Sequence, residues 1–319
     1  MLHRVLGGVG RSLMTAGTLI LLFVAYQLWG TGLQEAKAQR ELRQEFSAML
    51  DQVAATSTTT EPGTDPAEVV PAPADLPLPA EGDPVAEIRI PAIGITRTIV
   101  EGITLDQLKR GVGHYPTSPL PGQAGNVAIA GHRTTYGQPF HNIDKLRPGD
   151  EITFRTLQGE YVYEVIGTEI VEDDDVRVLE DQGDDRVTLI ACHPKYSLAQ
   201  RIIVSAELKG SPAPPIEGQD EVRAAADATD PFGSVDGGLS GEPAARWPTV
   251  LWGLVCALVW FATWLVQTYL RRRLRAREEQ PTRVQRLVTW SPYLVGVPVF
   301  LVTLYVFFEN FARLLPGNY

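Results

Sequence analysis

Three uncharged, apolar stretches dominate the pattern along the chain, at residues 12–34, 249–270 and 287–308. Each exceeds the roughly 20 residues a helix needs to cross a bilayer core, so the pattern predicts transmembrane helices at 12–33, 248–270 and 287–308. The first is long for the apolar part of a cleaved signal peptide, and no small-x-small site precedes the charged segment behind it. An uncleaved anchor is therefore expected. Residues 34–53 are charged, with Leu42, Phe46, Met49 and Leu50 interspersed, which suits a helical stalk. Residues 54–84 and 210–247 are rich in Pro, Ala, Thr, Gly, Asp and Glu and hold too little apolar surface for a core. Both are expected to be disordered linkers.

Between those linkers, residues 85–209 change period. The run 86–95 alternates and then breaks, as short strands with turns do. Thr104-Leu-Asp-Gln107 has the form of a capping box opening a short helix through Arg110. Residues 111–122 read as loop and 140–146 as a helical turn. Asn126-Val-Ala-Ile-Ala is a buried strand that ends at Gly131-His132. Residues 151–155 and 161–171 form a hairpin around Gln158-Gly159. The β-branched run 187–191 stops where His193-Pro194 cannot continue a ladder, and 201–208 is again a strand. Many short strands with few helices predict a mainly β fold, a small closed or nearly closed β-barrel with short helices, alongside the three membrane helices.

Charge orients this arrangement. Arg4 and Arg11 precede the first apolar stretch without an acidic residue, and Arg271, Arg272, Arg273, Arg275, Arg277, Arg283 and Arg286 lie between the second and third. Both segments (residues 1–11 and 271–286) belong on the cytoplasmic side, which puts the barrel and the tail 309–319 outside the cell. Those segments hold nine of the 28 basic residues and two of the 38 acidic ones, leaving 19 basic against 36 acidic side chains elsewhere. So acidic a remainder argues against nucleic acid as a partner.

The candidate chemistry starts from a cysteine. Only Cys192 and Cys256 occur, and Cys256 lies in an apolar stretch, so the polar part of the chain carries one thiol and no internal disulfide. Cys192 falls at a strand end. If 187–191 and 201–208 pair antiparallel, the loop between them brings Arg201 beside it. His132 also ends a buried strand, and an imidazole supplies the proton acceptor that turns a thiol into a nucleophile. Arg201 would stabilise the oxyanion of a tetrahedral intermediate. His114, in a Pro- and Gly-rich loop, is the competing base. His193 is aimed by strand alternation at the opposite face, and His141 reads as a helix-turn residue.

Asn126-Val-Ala-Ile-Ala-Gly-His132-Arg, Thr188-Leu-Ile-Ala-Cys192 and Arg201 resemble, in this order, the three signatures of the sortases, membrane-anchored cysteine transpeptidases of Gram-positive bacteria. Gly113-His-Tyr-Pro and His132-Arg-Thr-Thr-Tyr-Gly-Gln-Pro-Phe140 are similar to the class E enzymes of actinobacteria. The resemblance spans residues 85–208. It implies that Cys192 attacks the Thr carbonyl of a Leu-Ala/Pro-x-Thr-Gly sorting signal, that His132 protonates the leaving amine, and that Arg201 binds substrate and oxyanion. It also implies secreted proteins with C-terminal sorting signals as donors, and lipid II, the peptidoglycan precursor, or another amine as acceptor.

The resemblance also implies substrate-binding residues, taken as Tyr136, Thr188, Ala191 and His193, with Tyr136 discriminating Ala from Pro in the signal. Ala191 stands where sortases usually have Thr. No cofactor or metal is expected; the acidic run Glu172-Asp-Asp-Asp175 lacks fixed ligand spacing for calcium. Two other readings remain. A pilin-polymerising sortase would carry a lid with Asp-Pro followed by an aromatic, whereas Asp83-Pro84 is followed by Val85 and Asp65-Pro66 by Ala67. A non-catalytic, membrane-tethered adaptor barrel would not need Cys192. The chain is not itself read as a sortase substrate, since no Leu-x-x-Thr-Gly precedes residue 249.

Overall fold

The computed structural model describes residues 2–57, 76–197, 199–229, 243–275 and 283–314. They fall into two compact units, one of residues 27–235 and one of residues 1–26 with 236–318.

The second unit contains the helices α1 (Leu2–Ala25), α5 (Arg246–Arg275) and α6 (Arg283–Ala312). Three helical stretches, Leu13–Ala55, Arg246–Arg273 and Trp290–Ala312, are long and apolar enough to cross a membrane. Inside this unit Tyr26, Cys256, Leu304, Phe308 and Ala312 bury one another. Phe23 meets Phe308 edge-on at 5.2 Å. Gly296 lies directly under Thr263, where a Cβ would collide with the threonine side chain, so a small residue lets α5 and α6 approach closely.

The first unit is a closed barrel of eight strands: β1 (Pro84–Ile90), β2 (Ile95–Glu101), β3 (Val112–His114), β4 (Asn126–Ala130), β5 (Glu151–Thr156), β6 (Gly159–Glu172), β7 (Arg186–His193) and β8 (Gln200–Lys209). Their order around the barrel is β1-β2-β3-β4-β7-β8-β6-β5. The pairs β2–β3 and β4–β7 are parallel and the others antiparallel. Strand alternation divides the side chains between two faces. Val127 and Ile129 of β4, Val187, Leu189 and Ala191 of β7 and Ile202, Val204 and Ala206 of β8 fill the interior. Ala128, Ile190 and Ile203 lie on the outer face under Tyr115, Val171, Val178 and Leu179.

Helix α2 (Thr31–Ser57) packs on β1 and β2. Its buried residues are Thr31, Glu35, Gln39, Leu42 and Phe46, a stripe with helical spacing whose first half is polar. That polar half is why apolar spacing alone reads as imperfect.

The structure departs from the sequence-based expectations at four places. Residues 112–114, expected as loop, are strand β3, paired with β2 and β4. The helix expected from the capping box is α3 (Leu105–Leu108), and Thr104 makes no side-chain cap bond. Its hydroxyl instead donates to Glu81 Oε1 at 3.3 Å. The expected linker 54–84 is ordered at both ends: α2 runs to Ser57, and Leu76 is buried in the barrel core with Leu78 packed against it. Residues 58–75 lie outside the described part.

The expected linker 210–247 begins as a docked segment rather than a disordered one. Ala213 N–H donates to Gly122 O at 2.7 Å, and Ile216 enters the core. The amides of Gln219, at the start of α4 (Gln219–Thr229), and Gln123 donate to each other at 2.6 and 2.9 Å. This buried pairing of two polar residues holds a segment whose composition alone suggests disorder. Residues 230–242 lie outside the described part.

Candidate active site

Two strand pairings assemble the site. In the parallel pair β4–β7, Ala130 is opposite Ile190, and Gly131 N–H extends the ladder to Ile190 O at 3.1 Å. His132 and Cys192 are each two residues further on, so adjacent strands deliver them to the same barrel end. In the antiparallel pair β7–β8, Cys192 is opposite Arg201, two residues from the pair Ile190–Ile203 on the outer face. Cys192 and Arg201 therefore share that outer face, and Tyr115 covers the apolar floor between them and the barrel.

The turn after β4 is dictated by packing. A Cβ on Gly131 would meet the Phe140 ring at 2.7 Å, so glycine admits the buried Phe140 beneath the strand exit. Phe140 N–H donates to His132 O at 3.0 Å and closes the loop 132–140. Within it Tyr136, Gly137 and Gln138 have φ of 47°, 73° and 51°, three consecutive residues in the left-handed region. The Tyr136 ring lies 5.3 Å from the His132 ring, and both residues are buried.

Electrostatics leave the two reactive groups neutral at rest. Burial, with the Lys109 ammonium adding to it, pushes the His132 imidazole down to about 4. Burial pushes the Cys192 thiol up, and the nearby Arg201 and Arg133 guanidinium groups oppose that rise without cancelling it. His132 Nε2 is buried without a hydrogen-bond partner among the described residues. Burial likewise raises Tyr115 to about 12, with Arg201 opposing and Cys192 adding to the effect.

The other expected site residues separate. Thr188 is on the outer face but buried, and its hydroxyl donates to Asn126 Oδ1 at 2.7 Å. The Asn126 amide holds Val178 O and Glu180 O at 2.9 Å, so Thr188 secures the 3₁₀ turn Val176–Leu179 rather than lying open to a substrate. Ala191 points into the barrel core, away from the face of Cys192, which removes it as a substrate contact. His193 is half-buried, with Nδ1 3.4 Å from Arg133 Nη1.

His114 is not available as a base. Its Nδ1 is 2.8 Å from Glu101 Oε2 and its Nε2 2.8 Å from Pro119 O, so both ring nitrogens are engaged inside the barrel. Burial depresses its affinity for a proton, but the Glu101 carboxylate outweighs burial and the net shift is upward. His141 Nδ1 donates to Arg133 O at 2.8 Å. Asp175, in the acidic run, is tied to Arg177. No group of three or more His, Cys, Asp or Glu side chains arranged for a metal occurs among the described residues.

Arg133 is a candidate site residue that its sequence context does not single out. It is buried, donates from Nη1 to Cys192 O at 3.2 Å and pairs through Nη2 with Asp144 at 2.9 Å. One guanidinium fork thus ties the loop after His132 to the backbone of the nucleophile. Its only signal in the sequence is adjacency to His132.

Comparison with known proteins places this geometry. The Sortase domain model matches residues 88–209. Sortase SrtE2 of Streptomyces coelicolor is 30% identical over 220 residues, covering 63% of this chain and 80% of the relative. Sortase SrtE1 of the same organism is 33% identical over 212 residues, covering 61% of this chain. The chain spans 55% of the length of SrtE1 and less than two thirds of the length of two further sortases. The solved structure of sortase E from Streptomyces avermitilis is 35% identical, with a TM-score of 0.37, and covers 41% of this chain and 91% of that one.

Proposed function

The chain belongs to the sortase family, and from that premise we propose that it is a membrane-anchored cysteine transpeptidase of the class E type. It cleaves a Leu-Ala/Pro-x-Thr-Gly sorting signal between Thr and Gly and joins the Thr carboxyl to an amine of lipid II or of another acceptor. The observation that supports this best is the register that sets Arg201 opposite Cys192 and carries His132 to the same end on the neighbouring strand.

The chemistry follows from the protonation states. With thiol and imidazole both neutral at rest, the thiol proton passes to His132 Nε2 as sulfur attacks the Thr carbonyl carbon. Arg201 stabilises the resulting oxyanion. The imidazolium returns its proton to the Gly nitrogen as the C–N bond breaks, leaving a thioester on Cys192. The acceptor amine then attacks the thioester and gives up a proton to His132, and as the new amide forms the departing sulfur takes that proton from the imidazolium, restoring the neutral thiol and imidazole. A histidine held far below the usual imidazole range is a strong proton donor toward the leaving amine, and a raised thiol becomes nucleophilic only with a base beside it.

The arginines at 4, 11 and 271–286 support an N-terminus in the cytoplasm and a barrel outside a multi-pass membrane anchor. Secreted proteins bearing the sorting signal are then the partners on the barrel's side.

The test uses the full chain in lipid nanodiscs with peptides bearing Leu-Ala-x-Thr-Gly or Leu-Pro-x-Thr-Gly and a small amine, followed by mass spectrometry. A Thr–amine product that disappears in Cys192→Ala is expected. Product formation that persists in Cys192→Ala would remove Cys192 as the nucleophile, whereas no product and no enhanced reactivity of Cys192 toward a thiol reagent would favour the non-catalytic adaptor role.

A further inference from the structure

The loop that carries His132 is held in an unfavourable conformation. Tyr136 and Gln138 both have positive φ, and left-handed non-glycine residues cost on the order of 1–3 kcal/mol each unless their surroundings impose them. Bonds of the loop itself, such as Gln138 N–H to Thr135 O at 3.0 Å and His141 N–H to Gln138 O at 3.0 Å, close turns beside Tyr136.

Helix α2 adds a constraint from outside the loop. Tyr136 N–H donates to Thr31 Oγ1 at 3.1 Å, in a buried position, while the Thr31 hydroxyl donates its own proton to Gln27 O at 2.9 Å. One hydroxyl thereby satisfies both sides. Gly32 and Gly137 approach closely: a Cβ on Gly32 would stand 3.9 Å from Gly137 N. A Cβ on Gly137 would overlap the carboxylate of Glu35. Gln138 Nε2 reaches Leu28 O at 3.5 Å.

The helix is itself pinned to the barrel. Glu35 Oε1 accepts from Arg97 Nε on β2 at 2.7 Å. The Gln39 side chain accepts from Thr98 N–H and donates to Thr98 O, both at 2.9 Å, and donates to Arg110 O at 3.0 Å. Rigid contacts therefore run from β2 through α2 to Tyr136 and on to the His132 ring.

We propose that the first turns of α2 are a positioning element for the catalytic histidine, with Thr31 and Glu35 holding Tyr136 against the His132 ring. The proposal rests on the role given to His132 above. The helix is then not a passive spacer, and the catalytic unit of this protein begins at α2 rather than at β1. Freed from Thr31, the loop loses its imposed conformation, and His132 gains solvent and conformational freedom. Displacements of this kind lower turnover more than they weaken substrate binding.

The experiment compares Thr31→Val, which keeps the shape and removes the hydroxyl, with Thr31→Ser, which keeps the hydroxyl, in the full chain in nanodiscs. Thermal unfolding checks that the barrel remains folded. Three quantities are read: kcat and KM for the sorting-signal peptide, the His132 titration midpoint by NMR of labelled histidine, and amide exchange at Tyr136. Thr31→Val is expected to lower kcat by about tenfold with KM little changed, and to move the His132 midpoint upward from about 4 toward the ordinary 6.5 as the ring gains solvent. Thr31→Ser should restore both. In the unmodified chain the Tyr136 amide should exchange as slowly as those of β4.

Unchanged kcat and His132 midpoint in a folded Thr31→Val chain would overturn the proposal. So would fast exchange at Tyr136 in the unmodified chain, a measurement that stands even if the variant does not fold. If the unmodified chain shows no turnover, the transpeptidase reading fails, while the His132 midpoint and Tyr136 exchange still decide the positioning role.

Discussion

Arg201 stands opposite Cys192 in the β7–β8 register. Burial raises the thiol, and Arg201 is the first of the two guanidinium groups that oppose the rise. Removing it in Arg201→Ala should shift the pH profile of Cys192 alkylation to higher pH, because the thiolate loses a counter-charge. It should also lower kcat/KM by roughly 10²-fold or more, the usual scale for loss of an oxyanion donor. Alkylation rates against pH and steady-state kinetics read the two effects separately; an unchanged alkylation profile would place Arg201 too far from sulfur to matter. At this scale the strand-end placement of His132 and Cys192 was legible because strand ends are marked by chemistry: Gly131 after one apolar run and His193-Pro194 at the end of another. Arg133 was not legible, since its role depends on a fork reaching Cys192 O, 59 positions away. Ala191 was misread as a substrate contact although period-two alternation from Leu189 turns it into the core.

Elements that look structureless by composition are where the sequence was least informative. The segment after β8 is poor in apolar residues, yet α4 is held by the reciprocal amide bonds of Gln219 and Gln123, both buried. Neither glutamine signals this alone, because the pairing is a tertiary contact across 96 positions. Gln219→Ala leaves the Gln123 side chain with one fewer donor and acceptor in a buried site, a loss of about 1–3 kcal/mol. The expected result is a lower barrel unfolding temperature together with faster proteolysis and amide exchange across α4. Slow exchange in α4 with unchanged unfolding would show that the other contacts, Ile216 in the core and Ala213 N–H on Gly122 O, secure the segment without the glutamine pair. Helix α2 was legible as a helix but not as a docked one. Thr31, Glu35 and Gln39 occupy core-facing positions that a search for apolar spacing passes over. The barrel was the most legible element, since its strands carry interior and exterior alternation that requires no distant partner to be recognised.

For the folded barrel unit as a whole, two buried histidines set opposite limits on stability against pH. His132 is held near 4, far below the 6.5 of an ordinary imidazole, so between those values the unfolded chain binds a proton that the native chain refuses. Stability contributed by neutral His132 is therefore complete above about 6.5 and falls as the pH drops toward 4. His114 has the reverse sign. Its native affinity for a proton is raised by Glu101 against the effect of burial, so its contribution is complete below 6.5 and is lost as the pH climbs through its higher native value. Asp144, shifted downward mainly through Arg133 against a desolvation effect of opposite sign, adds its own loss only at pH values below the ordinary carboxylate range. These two histidines by themselves give a stability maximum close to pH 6.5, with the raised Glu35 carboxyl opposing the acid limb of His132 and the raised Cys192 thiol adding to the alkaline limb above pH 9. Denaturant unfolding of the full chain in nanodiscs from pH 4 to 9 should show this dome. His132→Asn should flatten the acid limb and leave the alkaline limb in place, whereas His114→Gln should lower stability and flatten the alkaline limb. An acid limb that survives His132→Asn would mean that His132 is not its source, and the neutral imidazole would lose that support.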